Sequence, residues 1–145
     1  LIHRIMNQND VTTIQLCCSV MWKLELNDAI TSLLDNAIAS SLTIISSNSS
    51  YTNNSMEYRS LQALGTLIGH LTLLKNRPIL RKRLCLKKLL LWSLDNGKIT
   101  MVIAFATKIL ECSRESLVFK PPNPWTTAIL SFLKEIALTN NIKLF

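Results

Sequence analysis

The sequence is poor in the residues that build β-hairpins, metal centres and catalytic sites. Only three glycines and four prolines occur in 145 residues, so turn signals are rare and no β-hairpin is indicated. Two histidines and four cysteines, without a C-x-x-C pair, argue against a zinc site. No glycine-rich phosphate loop is present, and no Ser or Cys has a matched His nearby in sequence. We therefore expect a protein that is not an enzyme and that uses no metal or cofactor.

Long apolar runs are also missing. The longest runs, Leu89 to Trp92 and Met101 to Ala106, are far shorter than the roughly 20 residues that span a bilayer. No basic region followed by an apolar stretch precedes the first predicted helix, so a signal peptide is not indicated. We expect an intracellular protein with reduced cysteines and no membrane partner, in which Cys17 and Cys18 are small core or boundary residues.

Acidic residues are missing between Arg59 and Leu94. This stretch holds seven basic residues, and nine basic and nine acidic residues remain without them, so it supplies the whole net charge of +7. Two interpretations stay open: a surface for an acidic partner or RNA phosphates, and a solvated connection between helices. No Phe or Tyr interleaves the run, which weakens the case for base stacking. We call these residues the basic patch: Lys75, Arg77, Arg81, Lys82, Arg83, Lys87 and Lys88.

Apolar residues recur at helical spacing along most of the chain. This periodicity predicts six helices, at about 12–24, 28–45, 55–74, 86–94, 99–112 and from 124 onward. Residues 46–54 are only Ser, Asn, Tyr and Thr, which predicts a loop. The sequence therefore predicts an all-α fold of HEAT-type antiparallel helix pairs, a short α-solenoid. We expect a single helical-repeat domain over 1–145, as a fragment of a larger protein.

Two of the three glycines, Gly65 and Gly69, lie four residues apart inside the third predicted helix. Each costs about 1 kcal/mol relative to alanine in a helix interior. Close approach of another helix is the simplest compensation, and it predicts tight packing at this point. We expect His70, next to the second glycine, to be a surface or boundary residue.

A proline-rich stretch, Val118 to Trp125, precedes the last predicted helix, and we call it the connector. Adjacent prolines cannot continue a helix, whereas Asn123 suits an N-cap. The apolar stripe that follows has Phe132 at its middle, so Phe132→Ala is expected to cost ~3–5 kcal/mol. A rigid backbone with Lys120 near Trp125 is typical of an interface hot spot. The alternative is a purely structural connector whose Trp packs in the core.

Three stretches together resemble a known family. FKPPNPWTTAIL (119–130), LGTLIGHLTL (64–73) with KNRPIL (75–80), and KILE (108–111) look like the central helical-repeat domain of the large Not-type scaffold subunit of the eukaryotic mRNA deadenylase complex. That domain is similar in fold to the middle domain of translation initiation factor four-G. The resemblance covers about 59–145 and is weaker over 1–55.

The resemblance implies a non-catalytic scaffold module in mRNA decay, poly(A) shortening and translational repression, in the cytoplasm and also the nucleus. The implied partners are a Caf/Pop-type deadenylase subunit, a DEAD-box RNA helicase and other subunits of the deadenylase complex. It implies a deadenylase contact on the earlier repeats. The alternative is a helical-repeat RNA-binding domain that uses the basic patch. The implied helicase contact comprises Lys120, Pro121, Pro122, Asn123 and Trp125.

Overall fold

The computed structural model of the chain describes residues 1–8, 10–47 and 55–140. This part of the chain contains α-helices and short 3₁₀ segments but no β-strand, which confirms the predicted all-α class. Two 3₁₀ segments, Leu73–Lys75 and Cys112–Glu115, follow the fourth and sixth helices. The α-helices are α1 (Ile2–Gln8), α2 (Val11–Lys23), α3 (Asn27–Ser46), α4 (Met56–Leu71), α5 (Leu86–Asp95), α6 (Ile99–Glu111) and α7 (Pro124–Asn140).

The predicted helices are present, with two differences at the level of whole turns. The third prediction ran to residue 74, but α4 ends at Leu71 because Thr72 leaves the helical conformation, with φ −122° and ψ −84°. Helix α1 was not predicted, since it is only seven residues long. Helix α3 takes in Ser46 of the predicted loop, while 48–54 and 141–145 lie outside the described residues.

Helix α4 forms the centre of the fold. Every residue from Ala63 to Leu71 is buried, and α4 contacts α1, α2, α3 and α6. Burial on several sides fits the broad apolar stripe of α4, which includes the buried residues Leu61, Leu64, Leu67, Ile68 and Leu71. Consecutive helices also pack on each other, α2 on α3, α3 on α4 and α5 on α6, as in a short α-solenoid.

The two helical glycines make the tightest contact of α4. A Cβ atom added to Gly65 would lie 2.8 Å from the Phe105 carbonyl oxygen of α6. A Cβ atom added to Gly69 would lie 2.5 Å from Cys112 Sγ and 3.0 Å from the Ile109 carbonyl oxygen. At Gly65 the obstacle is the backbone of α6, which cannot move aside as a side chain can, whereas at Gly69 the closest obstacle is the Cys112 side chain. The predicted close helix approach is confirmed.

Helix α3, with 20 residues, is long and apolar enough to cross a membrane by length and composition alone. This is weak evidence, because the core helix of a folded domain meets the same criterion. Ile30, Leu33 and Ala37 of α3 are buried, and α3 packs on α4. We therefore treat α3 as a core helix.

Three predicted core residues are more exposed than the helical periodicity indicated. Leu24 follows the last residue of α2 and is exposed, and Leu42 is exposed on the side of α3 that meets α5. Phe132 is only half-buried, with Lys87 Nζ 5.4 Å from its ring centroid, because Ile129 and Leu133 take the core positions of α7. The cost of Phe132→Ala stays a prediction, and the partial burial of a ring that packs against the core favours the lower end of the expected range.

The glycine contact gives a direct test of the α4–α6 packing. We expect Gly65→Ala and Gly69→Ala each to lower the free energy of unfolding by about 1–3 kcal/mol, because the added methyl group overpacks the interface. This is the net change, so the cost of overpacking exceeds the roughly 1 kcal/mol by which alanine improves the helix propensity. Chemical denaturation measures it, and Ser131→Ala on the exposed side of α7 is the matched control. A higher unfolding free energy for either glycine variant would contradict the explanation.

Candidate partner-binding surfaces

The end of the connector is built around the N-terminus of α7. Asn123 Oδ1 accepts hydrogen bonds from the backbone N–H groups of Trp125 (2.9 Å) and Thr126 (3.3 Å). Its Nδ2 donates to the Val118 carbonyl oxygen at 3.0 Å. Pro124 is the first residue of α7, where its missing N–H leaves no helical hydrogen bond unmade. The predicted N-cap is confirmed. Through its Nδ2 group, Asn123 also links the end of the connector to Val118, the first connector residue.

Phe119 anchors the connector in the core. Its ring is buried and meets Trp125 edge to face, with 6.0 Å between ring centroids. Its carbonyl oxygen accepts from Thr126 Oγ1 at 2.6 Å, and its N–H donates to Ser116 Oγ at 2.9 Å. These contacts fix the backbone on both sides of Lys120.

Asn76, which lies 40 residues earlier in the sequence than Ser116, holds the start of this stretch. Its Oδ1 accepts from Ser116 Oγ (2.9 Å), Leu117 N (2.8 Å) and Val118 N (3.2 Å). Asn76 itself has a left-handed backbone, with φ 58° and ψ 28°, which Asn tolerates better than most residues. Sequence reasoning assigned Asn76 only to the end of a helix, since nothing local signals a partner 40 residues away.

The connector therefore exposes only part of the predicted helicase contact. Lys120, Pro121 and Pro122 are exposed, whereas Asn123 and Trp125 are partly buried. The polar atoms of Asn123 serve the cap, and the Trp125 ring contacts Phe119. The exposed surface is a lysine followed by two prolines, and its role in binding stays a prediction.

Asn76 offers a test of how the connector is held. We expect Asn76→Ala to lower the free energy of unfolding by about 2–4 kcal/mol, because it removes three accepted hydrogen bonds and forces alanine into a left-handed conformation. Asn76→Gly loses the same hydrogen bonds but adopts that conformation without strain, so we expect roughly half the loss. Urea denaturation compares the two. Equal stability of the parent and both variants would contradict this role.

The basic patch is not a single uniform surface. Three of its members contact other groups of the chain: Arg77 lies over the Trp22 ring (4.6 Å), Arg83 pairs with Asp35 (2.6 Å), and Lys87 lies over Phe132. Within the described residues, the side chains of the other members form no hydrogen bond or ion pair, and these residues are exposed. These are Lys75, Arg81, Lys82 and Lys88.

Helix α2 carries an apolar surface that sequence reasoning missed. Leu16, Val20 and Leu24 are 65%, 45% and 62% exposed and lie four residues apart, on one outer side of the helix. The inner side, with Ile14 and Cys18, is buried against α4. We call the three exposed residues the α2 row. The spacing of four residues in the sequence already indicated that these side chains share one side of α2. Spacing alone does not show whether that side packs against another helix or faces solvent.

A cysteine and a histidine meet in the core, contrary to the sequence-based expectation. His70 is buried, not a surface or boundary residue, because α6 covers this side of α4. Cys112 Sγ lies 3.4 Å from His70 Nδ1, which is 2.8 Å from the Thr66 carbonyl oxygen. A carbonyl oxygen only accepts, so Nδ1 carries a proton and cannot take one from the thiol. Burial also raises the pKa of the Cys112 thiol to about 12, which disfavours a reactive thiolate.

Comparison with known proteins decides the family. The family model of the CCR4-NOT transcription complex subunit 1 CAF1-binding domain matches residues 2–145. This chain belongs to that family. The match includes 1–55, where the resemblance noted from sequence was weak, so this CAF1-binding-family domain extends over nearly the whole chain.

Relatives of this CAF1-binding-family chain are named as subunits of a transcription regulator or of the CCR4-NOT transcription complex. It is 36% identical over 122 residues to general negative regulator of transcription subunit 1 of Schizosaccharomyces pombe, which covers 84% of this chain and 5% of that protein. The protein of the same name in Saccharomyces cerevisiae is 37% identical over 89 residues, or 61% of this chain and 4% of that protein. CCR4-NOT transcription complex subunit let-711 of Caenorhabditis elegans is 32% identical over 94 residues, which are 63% of this chain and 4% of that protein.

The chain thus spans about 5% or less of the length of these relatives. The family is named for binding and the relatives are named as regulators or complex subunits, which supports the expectation that the domain is not an enzyme. The recognition of a Not-type scaffold subunit is confirmed at this level.

Proposed function

We propose that this domain is a non-catalytic scaffold module that docks a Caf/Pop-type deadenylase within a deadenylase complex. The family name states the binding of CAF1. The observation on this chain that carries the proposal is the α2 row, three large exposed aliphatic side chains, two on α2 and one, Leu24, directly after its last residue. Exposed apolar clusters of this kind mark protein interaction sites.

The α2 row suits a stable interface because its supporting helix is rigid. Ile14 and Cys18 fix α2 against the buried helix α4, so little conformational entropy is lost when a partner covers Leu16 and Val20. The Asp10 side chain caps the start of α2, accepting from the Thr12 N–H at 3.0 Å. A deadenylase with a complementary apolar surface would bury the row without reorganising the domain.

We expect Leu16→Glu to weaken binding of a purified Caf-type deadenylase at least tenfold, because a carboxylate would be buried in an apolar interface. Leu138→Glu is the matched control, since Leu138 of α7 is 75% exposed and lies outside the α2 row. Calorimetric titration measures both affinities, and thermal melts establish that both variants fold. Equal affinities for the two variants would show that the deadenylase does not bind at the α2 row.

We further propose that the exposed part of the connector docks a DEAD-box RNA helicase. What supports this is rigidity and exposure: Phe119 and Asn123 hold the backbone, and Lys120, Pro121 and Pro122 are exposed. A prolyl backbone that is already fixed loses little entropy on binding. Trp125 contributes the edge of its ring, while Asn123 serves the cap.

Lys120→Glu is the decisive variant for the connector. We expect it to weaken binding of the helicase's recA-like domain at least tenfold without changing stability, because an exposed charge that faces the partner is reversed. Lys82→Glu introduces the same charge change in the basic patch and serves as the control for a general charge effect. Trp125→Ala is a poorer probe, since it also removes the contact with Phe119. Unchanged affinity of Lys120→Glu in calorimetric titration would exclude this surface.

The repeat type and cellular context are part of the same proposal. Successive packed helix pairs support a HEAT-type module similar to the middle domain of translation initiation factor four-G. Such a module would act in mRNA decay and translational repression in the cytoplasm, and also in the nucleus. Other subunits of the deadenylase complex would contact the rest of the larger protein.

A further inference from the structure

The outer side of α5 joins positive charge to an exposed indole. Lys88 and Trp92 are one helical turn apart and both exposed, Trp92 by 40%. The exposed residues Arg81 and Lys82 lie in the turn that leads into α5. We call these four residues the α5 row. It extends from the basic patch to Trp92, an aromatic residue that lies four positions beyond the end of the patch.

The electrostatics of this row favour an anion. Residues 60–94 contain no Asp or Glu, and the acidic residue of α5, Asp95, lies at its C-terminal end. The first turn of α5 has no acidic residue, and its N-cap, Cys85, makes no side-chain hydrogen bond. The positive end of the helix dipole therefore adds to the charges of Lys87 and Lys88. Arg83 is already paired with Asp35, so that carboxylate does not neutralise the remaining cations.

Trp92 also borders a groove of about 390 Å³ between α3 and α5, which is lined by Leu42, Ile45 and Leu89 among others. An indole beside a groove and next to a lysine offers a stacking platform for a planar base, with a cation in reach of the adjoining phosphate. An acidic peptide would use the cations but would gain no specific contact from an exposed ring face. The combination favours unpaired nucleotides.

We propose that the α5 row binds single-stranded RNA, with Arg81, Lys82 and Lys88 contacting phosphates and Trp92 stacking on a base. This function is separate from the docking of protein partners at α2 and the connector, and it is tested without them. Arg77, Arg83 and Lys87 already contact other side chains of the domain, so we assign the phosphate contacts to the remaining cations.

Fluorescence anisotropy of the 145-residue chain with a labelled oligouridylate of about 12 nucleotides tests the proposal. We expect log Kobs to fall with log salt with a slope of about −2, as three phosphate contacts on a single strand require. Lys88→Ala should reduce this slope by about 0.7. Trp92→Ala should weaken binding at least fivefold without changing the slope, and Trp92→Phe should restore most of the affinity.

Lys23→Ala, an exposed lysine on α2, is the matched charge control and should leave both affinity and slope close to the parent values. Thermal melts check that each variant folds, and Lys88→Ala tests the row even where a Trp92 variant fails to fold. Absence of RNA binding at low salt, an unchanged affinity for Trp92→Ala, or equal effects of Lys23→Ala and Lys88→Ala would each overturn the proposal. Displacement of the RNA by polyglutamate at equal charge concentration would also overturn it, in favour of an acidic protein partner.

Discussion

The contact between α4 and α6 is the constraint on which the rest of the structure depends. Gly65 lets the backbone of α6 approach so closely that a methyl group has no room there, and a methyl group at Gly69 would collide with the Cys112 side chain. Two helical glycines carry a propensity cost of about 1 kcal/mol each, which the buried surface of both helices offsets. With one side of α4 fixed in this way, its other sides are free to pack against α1, α2 and α3.

The same contact sets the position of the surfaces at the ends of these helices. The 3₁₀ segments that follow α4 and α6 lie against each other, so Asn76 comes within reach of Ser116 and Leu117. Asn76 thereby holds the loop whose continuation, through Phe119 and Asn123, starts α7. The short connector is thus oriented by Asn76, which is far away in sequence, and by the packing of Phe119 in the core.

The outer helix faces and the connector carry the proposed binding functions, while the buried titratable residues serve packing. Cys112 and His70 are close enough to suggest a nucleophile and a base, but the proton on Nδ1 and the raised pKa of the thiol disfavour that chemistry. The α2 row, the connector and the α5 row lie on different elements of one rigid stack. Such an arrangement suits a scaffold, in which each surface serves a different partner.

The sequence by itself determined the all-α class, the six predicted helices and the Asn123 cap, because these depend on local backbone preferences. The cost of Gly65 in a helix interior also indicated a close helix approach, although only the structure identified α6 as the neighbour. Only the tertiary structure decided which sides are covered. It buried His70, left Phe132 half-exposed and turned the α2 row outward. It also brought Arg77 into contact with Trp22, Arg83 with Asp35, and Lys87 with Phe132, all on other helices. Helical periodicity marks apolar positions, but the neighbours that cover them come from residues tens of positions away.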